Sequence, residues 1–223
     1  MIIDKDSTGT ILVAWLICGL LIWLINHCIR NSWVSGPIIA AVLIFMGFIT
    51  WFFRVPERDI PRGENLVTSV CDGKVVIVEK VFEHEYLQEE CIQVSVYMDF
   101  FDVHANFWPV DGEVTYYKYH PGKYLLAFLP KSSELNEHSS TGITVPTGDR
   151  LFFKQIAGTF ARRIVCYSEP GLETNRGHQC GVIKFGSRID IFLPLDADIK
   201  VKVGDEVRAI ESVIAVLNDK KAE

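Results

Sequence analysis

The stretch "GVIKFGSRIDIFLP", residues 181–194, decides how the soluble part of this chain is interpreted. Apolar residues alternate along much of it and predict a half-buried β-strand. Gly186 and Ser187 interrupt the pattern and are followed by the charged residues Arg188 and Asp190. Because glycine weakens a strand and contributes no packing, the pair indicates a bulge, a bend or a close approach of two backbones. A β-bulge with a solvated serine is the ordinary interpretation, and a reactive turn is the alternative.

Composition argues against nucleic-acid binding. The 223 residues include 22 Lys and Arg and 28 Asp and Glu, for a net charge of -6 and a pI near 5.5. A nucleic-acid-binding protein needs a basic face to neutralise phosphates. The six cysteines form no C-x-x-C pair, and the H-E-x-x-H motif is absent from the sequence. We therefore expect neither a redox motif nor a metal site.

Two uncharged apolar runs predict a membrane-anchoring helical hairpin. They cover residues 11–25 and 37–53, slightly short of the roughly 20 residues that a spanning helix needs. Arginines cluster in residues 54–62, against Arg30 alone in the short link. The positive-inside rule then puts both termini in the cytoplasm, with the later domain on the cytoplasmic side of the inner cell membrane. A monotopic, re-entrant hairpin is the alternative; a cleavable signal peptide would leave the second run unexplained.

From about residue 56 the sequence changes to a soluble, strand-rich domain. Runs of β-branched and aromatic residues are bounded by Gly, Pro and Asp turns, as in "KVVIVEKV", "CIQVSVYM", "GEVTYYKY" and "RLFFKQIAG". They predict a mainly β domain, compact and barrel- or sandwich-like, with few helices. One helix is predicted over Gln155–Tyr167. The predicted domains are a hairpin over residues 1–55 and a catalytic or binding domain over residues 56–223.

These features alone leave several protein classes open. Asp-Gly turns before strands, and "VKVGDEV" at residues 201–207, also occur in lipoyl-like modules, which would make this a non-enzymatic, membrane-tethered binding protein. No carrier lysine is evident in the pattern such modules use. Ser187 and Lys184 near a membrane hairpin would instead suggest a signal-peptidase-like hydrolase. Their odd spacing on a strand, however, directs the two side chains to opposite faces.

Three stretches together resemble the short-form phosphatidylserine decarboxylases. "FGSRIDIFLP" is preceded by "QIAGTFARRIVCY" and "DVHANFWPVDGEV", in the family's order, and the resemblance runs from about residue 56 to residue 217. In that family a proenzyme, or zymogen, cleaves itself between the glycine and the serine. The resemblance implies cleavage between Gly186 and Ser187, which gives a large and a small chain and a covalent pyruvate cofactor, the pyruvoyl group, at position 187. The apolar hairpin resembles the membrane anchor of some members.

The implied activity is that of a pyruvoyl-dependent carboxy-lyase. Decarboxylation of an amino acid leaves a carbanion at Cα, which needs an electron sink conjugated to the amine. The resemblance implies that phosphatidylserine in the membrane becomes phosphatidylethanolamine and CO2 through a Schiff base with the pyruvoyl group. Decarboxylation of another serine phospholipid and a non-enzymatic lipoyl-like module are the alternatives. A homo-oligomer is left open.

The resemblance also assigns roles to two polar residues. His104 matches a family histidine that assists decarboxylation or the protonation that follows, although a lone histidine among apolar neighbours is more often structural. Asp72 matches an aspartate that orients a histidine during self-cleavage, although turn formation is the usual role of an aspartate before glycine. Many relatives have a second histidine where this chain has Phe107, so the base that activates Ser187 is not assigned. Weaker candidates are Asp102, Asn136, Glu137, Arg162 and Arg163.

Overall fold

A computed structural model divides the chain into two compact units. It describes residues 2–125, 132–158, 164–183 and 187–218. The first unit ends at Glu57 and the second begins at Arg58.

The first unit is a helical hairpin. A short 3₁₀ helix, Lys5–Ser7, leads into α1 (Thr8–Cys28), and α2 (Ser32–Phe52) follows. Both long helices are long and apolar enough to cross a membrane, since 21 residues at 1.5 Å per residue span about 31 Å, close to the thickness of a hydrocarbon core. α1 extends beyond its predicted apolar run at both ends, and α2 begins five residues before its run. The Asn31 side chain accepts the Trp33 N–H at 3.0 Å and so caps the start of α2. Two short strands, β1 (Ile2–Ile3) and β2 (Arg54–Val55), pair across the base of the hairpin.

The second unit is built mainly from strands, with one short helix, α3 (Ser132–Leu135). The strands are β3 (Leu66–Thr68), β4 (Gly73–Glu83), β5 (Glu89–Met98), β6 (Ala105–Phe107), β7 (Gly112–His120), β8 (His138–Thr144), β9 (Arg150–Ile156), β10 (Ile164–Cys166), β11 (Glu173–Thr174), β12 (Gln179–Ile183), β13 (Ser187–Pro194), β14 (Asp198–Ile199), β15 (Glu206–Val207) and β16 (Val213–Val216). The predicted fold class, a mainly β domain with few helices after an amino-terminal helical hairpin, is confirmed.

The strands form one large antiparallel sheet and two small ones. The large sheet has the order β11-β7-β8-β9-β13-β5-β4-β15, and the small sheets have the orders β10-β12-β6 and β14-β16-β3. Strand β13, which carries the Gly-Ser stretch, lies near the middle of the large sheet between β9 and β5. Its main chain is therefore hydrogen-bonded on both sides.

Both faces of β13 are buried. Ile189, Ile191 and Leu193 point into the main hydrophobic core, whereas Phe192 belongs to a smaller cluster with Phe152 on the opposite face. The sequence predicted a half-buried strand, and the structure buries the second face as well. Charged residues on this strand must then find partners inside the protein.

The predicted helix over Gln155–Tyr167 is wrong wherever the structure describes it. Gln155 ends β9, paired with Ser139 on one side and Ile189 on the other, and Ile164–Cys166 forms β10. Residues 159–163 lie outside the described residues. The local pattern fitted a helix, but pairing with strands distant in sequence outweighs such weak local preferences.

Candidate active site

Ser187 is the first residue of β13 and is completely buried. Within the described parts of the chain, its Oγ has no hydrogen-bond partner. A buried hydroxyl without a partner costs about 1–3 kcal/mol, so an orphaned group of this kind calls for an explanation. The preceding residues of the motif, Lys184 and Gly186, lie outside the described residues.

His104 is also completely buried, and its ring orientation is fixed locally. Its Nδ1 lies 3.0 Å from the carbonyl oxygen of Asp102. Because a carbonyl oxygen can only accept, Nδ1 carries the proton and Nε2 is the basic nitrogen. The turn that presents this carbonyl is itself held, since the Asp99 N–H donates to the Asp102 carboxylate at 2.6 Å and the Asp102 N–H donates to the Asp99 carbonyl at 3.1 Å.

The structure brings the main chains around His104 and Ser187 to the same end of the large sheet. Ser187 lies opposite Met98, the last residue of β5, and His104 follows after the turn. The His104 carbonyl accepts the Ile183 N–H at 3.1 Å, and only three residues separate Ile183 from Ser187. That segment spans at most about 14 Å when fully extended. Two of the three predicted catalytic residues therefore belong to one region.

Asp72 forms a buried ion pair with Arg58. The two guanidinium Nη atoms bind the two carboxylate oxygens, with Nη2 at 2.8 Å from Oδ2, and the Ala209 N–H donates to Oδ1 at 2.8 Å. Burial alone would lower the pKa of Arg58, but the hydrogen bond and the charge of Asp72 raise it. Three donors fill most of the roughly four acceptor positions of a carboxylate. Most of the hydrogen-bonding capacity of Asp72 is thus used to hold Arg58 and Ala209.

The turn that carries Asp72 runs beside β6. The Phe107 N–H donates to the Val70 carbonyl at 2.9 Å and the Thr68 N–H to the Pro109 carbonyl at 2.9 Å, an antiparallel register that directs the segment ending at Asp72 toward the start of β6. Gly73 follows with a φ of +144°, and a Cβ at this position would overlap the Tyr97 carbonyl oxygen. The Asp-Gly turn therefore requires its glycine.

A buried thiol shows that three carboxylates lie in this region. Cys71 is fully buried, and burial raises its pKa well above the usual value, with further increases from the charges of Asp72, Asp102 and Asp190. Two of these carboxylates, Asp72 and Asp190, are paired with the buried arginines Arg58 and Arg188.

Arg188 and Asp190 form an ion pair that the sequence analysis did not predict. Both side chains have an exposure of 0%. The Arg188 Nε donates to Asp190 Oδ1 at 2.6 Å and its Nη2 to Oδ2 at 3.0 Å, while Ser133 Oγ donates to Oδ2 at 2.8 Å. Arg188 Nη2 also reaches Ser95 Oγ at 3.2 Å. The available signal was opposite charges two residues apart on a strand, which share one face.

The weaker candidates have structural contacts or lie outside the described residues. The Asn136 amide accepts the Leu125 N–H at 2.9 Å and donates to the Leu125 and Ala157 carbonyls at 2.8 and 2.7 Å, so it ties a loop to the end of β9. Glu137 is buried and its main chain pairs with Lys123. Arg162 and Arg163 lie outside the described residues.

Comparison with known proteins identifies the family. The family model for phosphatidylserine decarboxylase matches residues 45–215, more than half of the chain. The chain belongs to the phosphatidylserine decarboxylase family. The predicted resemblance to this family is confirmed.

Similar proteins cover most of the chain. A phosphatidylserine decarboxylase proenzyme of Amoebophilus asiaticus is 48% identical over 176 residues, which cover 79% of this chain and 78% of that protein. One from Syntrophus aciditrophicus is 41% identical over 194 residues, 87% of this chain and 89% of its own length. One from Parabacteroides distasonis is 35% identical over 219 residues, 98% of this chain and 100% of its own length. The similarity to phosphatidylserine decarboxylases therefore includes the hairpin in some relatives.

The phosphatidylserine decarboxylase match contains all three predicted catalytic residues. Within it, Phe107 is buried in β6 at 2% exposure and cannot transfer a proton. His104, three residues earlier, is the titratable ring at this end of β6. Position 107 therefore supplies no proton-transfer group to this site.

Proposed function

We propose that this chain is a membrane-anchored phosphatidylserine decarboxylase that makes its own pyruvoyl group from Ser187. One observation carries the proposal: the buried Ser187 Oγ, which lacks a hydrogen-bond partner among the described residues, at the start of the central strand β13. A structural serine at a buried position would normally be hydrogen-bonded. A serine that is consumed by maturation needs an uncommitted hydroxyl instead.

Self-cleavage uses this hydroxyl as a nucleophile. Ser187 Oγ adds to the Gly186 carbonyl carbon and gives its proton to a base. The base returns this proton to the Ser187 nitrogen as the Gly186–Ser187 C–N bond breaks, and an ester with a free amine replaces the peptide bond. Elimination across Cα–Cβ of residue 187 releases Gly186 as a free carboxylate. The dehydroalanine left behind takes up water and loses ammonia, which yields the pyruvoyl group. Because β13 pairs with β5 from Ser187 onward and with β9 from Arg188 to Phe192, the new chain end stays fixed while the bond before it is cut.

His104 is the group that we assign to proton transfer. The pyruvoyl carbonyl supplies the electron sink that decarboxylation at Cα requires. The carbanion left at Cα must then be protonated in every turnover. Because His104 Nδ1 donates to the Asp102 carbonyl, we assign the proton transfer to Nε2, a task suited to an imidazole.

Asp72 is proposed to assist self-cleavage. Support comes from its position beside β6. Its charge also raises the pKa of the neighbouring Cys71 thiol, as do the charges of Asp102 and Asp190. Its ion pair with Arg58 keeps the carboxylate in one orientation. With three donors already bound, Asp72 acts mainly through its charge, and one acceptor position remains for a histidine or a water.

The hairpin, residues 1–55, is proposed to anchor the enzyme in the inner cell membrane, with the domain of residues 56–223 on the cytoplasmic side. A lipid substrate keeps its acyl chains in the bilayer, so an anchored enzyme encounters its substrate by lateral diffusion in the membrane plane. After cleavage, the large and small chains stay together because β13 of the small chain pairs with β5 and β9 of the large one.

Turnover of defined lipids tests the activity. Full-length protein in detergent micelles that contain phosphatidylserine should release CO2 and phosphatidylethanolamine, and Ser187→Ala should not. Ser168→Ala is the matched control, because Ser168 is another buried serine but has hydrogen-bond partners in Thr141 and Cys166. Wild-type protein that leaves phosphatidylserine intact would contradict the proposal, and conversion of a different serine phospholipid alone would change the substrate.

A further inference from the structure

A second cluster of chemically reactive side chains lies away from Ser187 and His104. Glu85, in the turn between β4 and β5, meets His120 at the end of β7 and His138 at the start of β8. One donor atom from each of these residues lies within 4.8 Å of the other two. His120 and His138 are directly opposite in the register of β7 and β8, which is the closest approach that two neighbouring strands give their side chains.

His138 presents its Nε2 as a lone-pair donor. Its Nδ1 lies 2.7 Å from the Asn136 carbonyl oxygen and must donate to it, so Nε2 carries no proton. Burial lowers the pKa of His138, which keeps the ring neutral. A hydrogen bond from one ring nitrogen to a carbonyl is the usual way in which proteins orient a histidine that binds metal through its other nitrogen.

His120 and Glu85 complete the set. The His120 ring stacks on His138 with centroids 4.3 Å apart and planes inclined by 13°. His120 Nε2 lies 2.6 Å from Glu85 Oε1. The other carboxylate oxygen, Oε2, is held by Lys154 at 3.0 Å and by Ser140 at 3.1 Å.

The charge of Glu85 is secured by these neighbours. Burial alone would raise its pKa, but Lys154 and His120 lower it to about 2. The carboxylate is thus ionised at neutral pH and fixed through Oε2, while Oε1 contacts His120 Nε2 and accepts the Tyr116 hydroxyl at 3.2 Å. Lys154 has the role of an outer contact that orients a ligand, and its positive charge weakens the attraction for a cation.

We propose that Glu85, His120 and His138 form a binding site for a divalent transition metal, with Zn2+ the best match. Two imidazoles and one carboxylate are a common zinc set that leaves a further coordination position open. Zinc bonds of 2.0–2.2 Å need donors roughly 3.3 Å apart. The His120 and Glu85 atoms, 2.6 Å apart, must therefore separate slightly, whereas donors as far apart as 4.8 Å must approach by about 1.5 Å. The side chains of His120 and Glu85 are 24% and 15% exposed and have room to adjust.

A cleft of about 530 Å³ lies beside the cluster and is also lined by Arg188 and Phe192. His120 and Glu85 line this cleft, so an ion can enter from solvent. To bind a metal, His120 Nε2 must exchange its contact with Glu85 Oε1 for a bond to the ion, because a ligating nitrogen must be unprotonated.

Calorimetry with Zn2+ tests the site directly. Full-length protein without a histidine tag is titrated in a non-chelating detergent buffer, and we expect one saturable Zn2+ site per chain. His138→Gln should weaken binding by ~100-fold or more, since even outer-sphere changes cost about 10–100-fold. Co2+ should give visible d–d absorption in wild-type protein that is lost in the same variant.

The matched control is His84→Gln. His84 is exposed and lines the same cleft but is not one of the clustered donors, so this variant should bind Zn2+ as the wild type does. Circular dichroism checks that each variant is folded, and His120→Gln, at a half-buried position, replaces His138→Gln if the latter unfolds. The proposal is overturned if no saturable binding occurs, if the ligand variants bind with wild-type affinity, or if His84→Gln loses the site.

Discussion

The buried pair of Arg188 and Asp190 allows a quantitative test of how β13 is held. Asp190→Asn keeps the shape of the side chain and removes its charge. The Arg188 guanidinium would then lie at 0% exposure without its carboxylate partner, in contact with the hydroxyls of Ser95 and Ser133 and the new amide. Removal of one partner of a buried pair costs about 3–5 kcal/mol, because the remaining charge is uncompensated.

That loss is large against a typical stability of about 5–15 kcal/mol. It corresponds to an unfolding equilibrium shifted by about 100- to 4,000-fold, at about 1.4 kcal/mol per factor of ten. For a domain of this size, a Tm decrease of about 6–20 °C is expected. We would measure urea unfolding in a Ser187→Ala background, because a single uncleaved chain can refold reversibly.

Two control variants distinguish the cost of leaving a buried charge unpaired from the cost of losing any ion pair. Asp198→Asn breaks the exposed pair with Lys200, whose side chains are 58% and 45% exposed, and should cost under about 1 kcal/mol. The double variant Arg188→Met with Asp190→Leu removes both charges and should be close to neutral, since apolar residues often replace a buried pair without loss. If Asp190→Asn cost no more than Asp198→Asn, or if the double variant were less stable than the single one, the ion-pair argument would be refuted.

The remaining predictions concern catalysis, the anchor and pH. His104→Ala should lower CO2 release from matured enzyme by about 10²–10⁴-fold with less effect on cleavage, and an unchanged rate would make His104 structural. Asp72→Asn should mainly slow cleavage, followed as band splitting on a gel. Deletion of residues 1–53 should leave self-cleavage intact and reduce turnover on bilayer lipid more than on a short-chain, detergent-dispersed substrate; loss of cleavage would place the hairpin in the fold. Because the pKa of Glu85 is about 2 rather than 4.5, its pairing stabilises the protein above pH 4.5 and is lost as the pH falls toward 2. The Lys154→Met variant should therefore be less stable than the wild type at neutral pH. Its free energy of unfolding should also decrease less than that of the wild type between pH 4.5 and pH 2, as measured by acid titration.

The sequence predicted those parts of the structure that local patterns determine. The apolar runs predicted both helices of the hairpin, and alternation predicted β4, β5, β7 and β9. The turn at Gly73 requires a conformation that glycine adopts readily, so the Asp-Gly pair in the sequence predicts the turn. Recognition of the family rested on the Gly186-Ser187 pair with its flanks and was confirmed.

Long-range pairing produced the features that the sequence did not predict. Arg188 is neutralised by Asp190 nearby but also contacts Ser95 and Ser133 from distant segments, so its complete burial was not apparent. The contacts of Asp72 with Arg58 and with the Ala209 N–H, 137 residues away, were likewise not predicted.

The helix predicted over Gln155–Tyr167 failed for the same physical reason. Its residues have the spacing of a helix, but Gln155 is committed to β9 by pairing with Ser139 and Ile189. Inside the protein, Gln155 also donates to Asn106 Oδ1 at 2.7 Å and accepts from Ser139 Oγ at 2.8 Å. Such a network depends on three strands that meet only in the folded chain.

Intact mass under denaturing conditions tests the central claim, self-cleavage at Ser187, most directly. Wild-type protein should give a large chain of residues 1–186 and a small chain of residues 187–223. The small chain should be lighter by one ammonia than a fragment beginning with serine, and its blocked amino terminus should resist Edman degradation. Ser187→Ala should remain one chain. A wild-type protein that decarboxylates phosphatidylserine as a single intact chain would contradict the account.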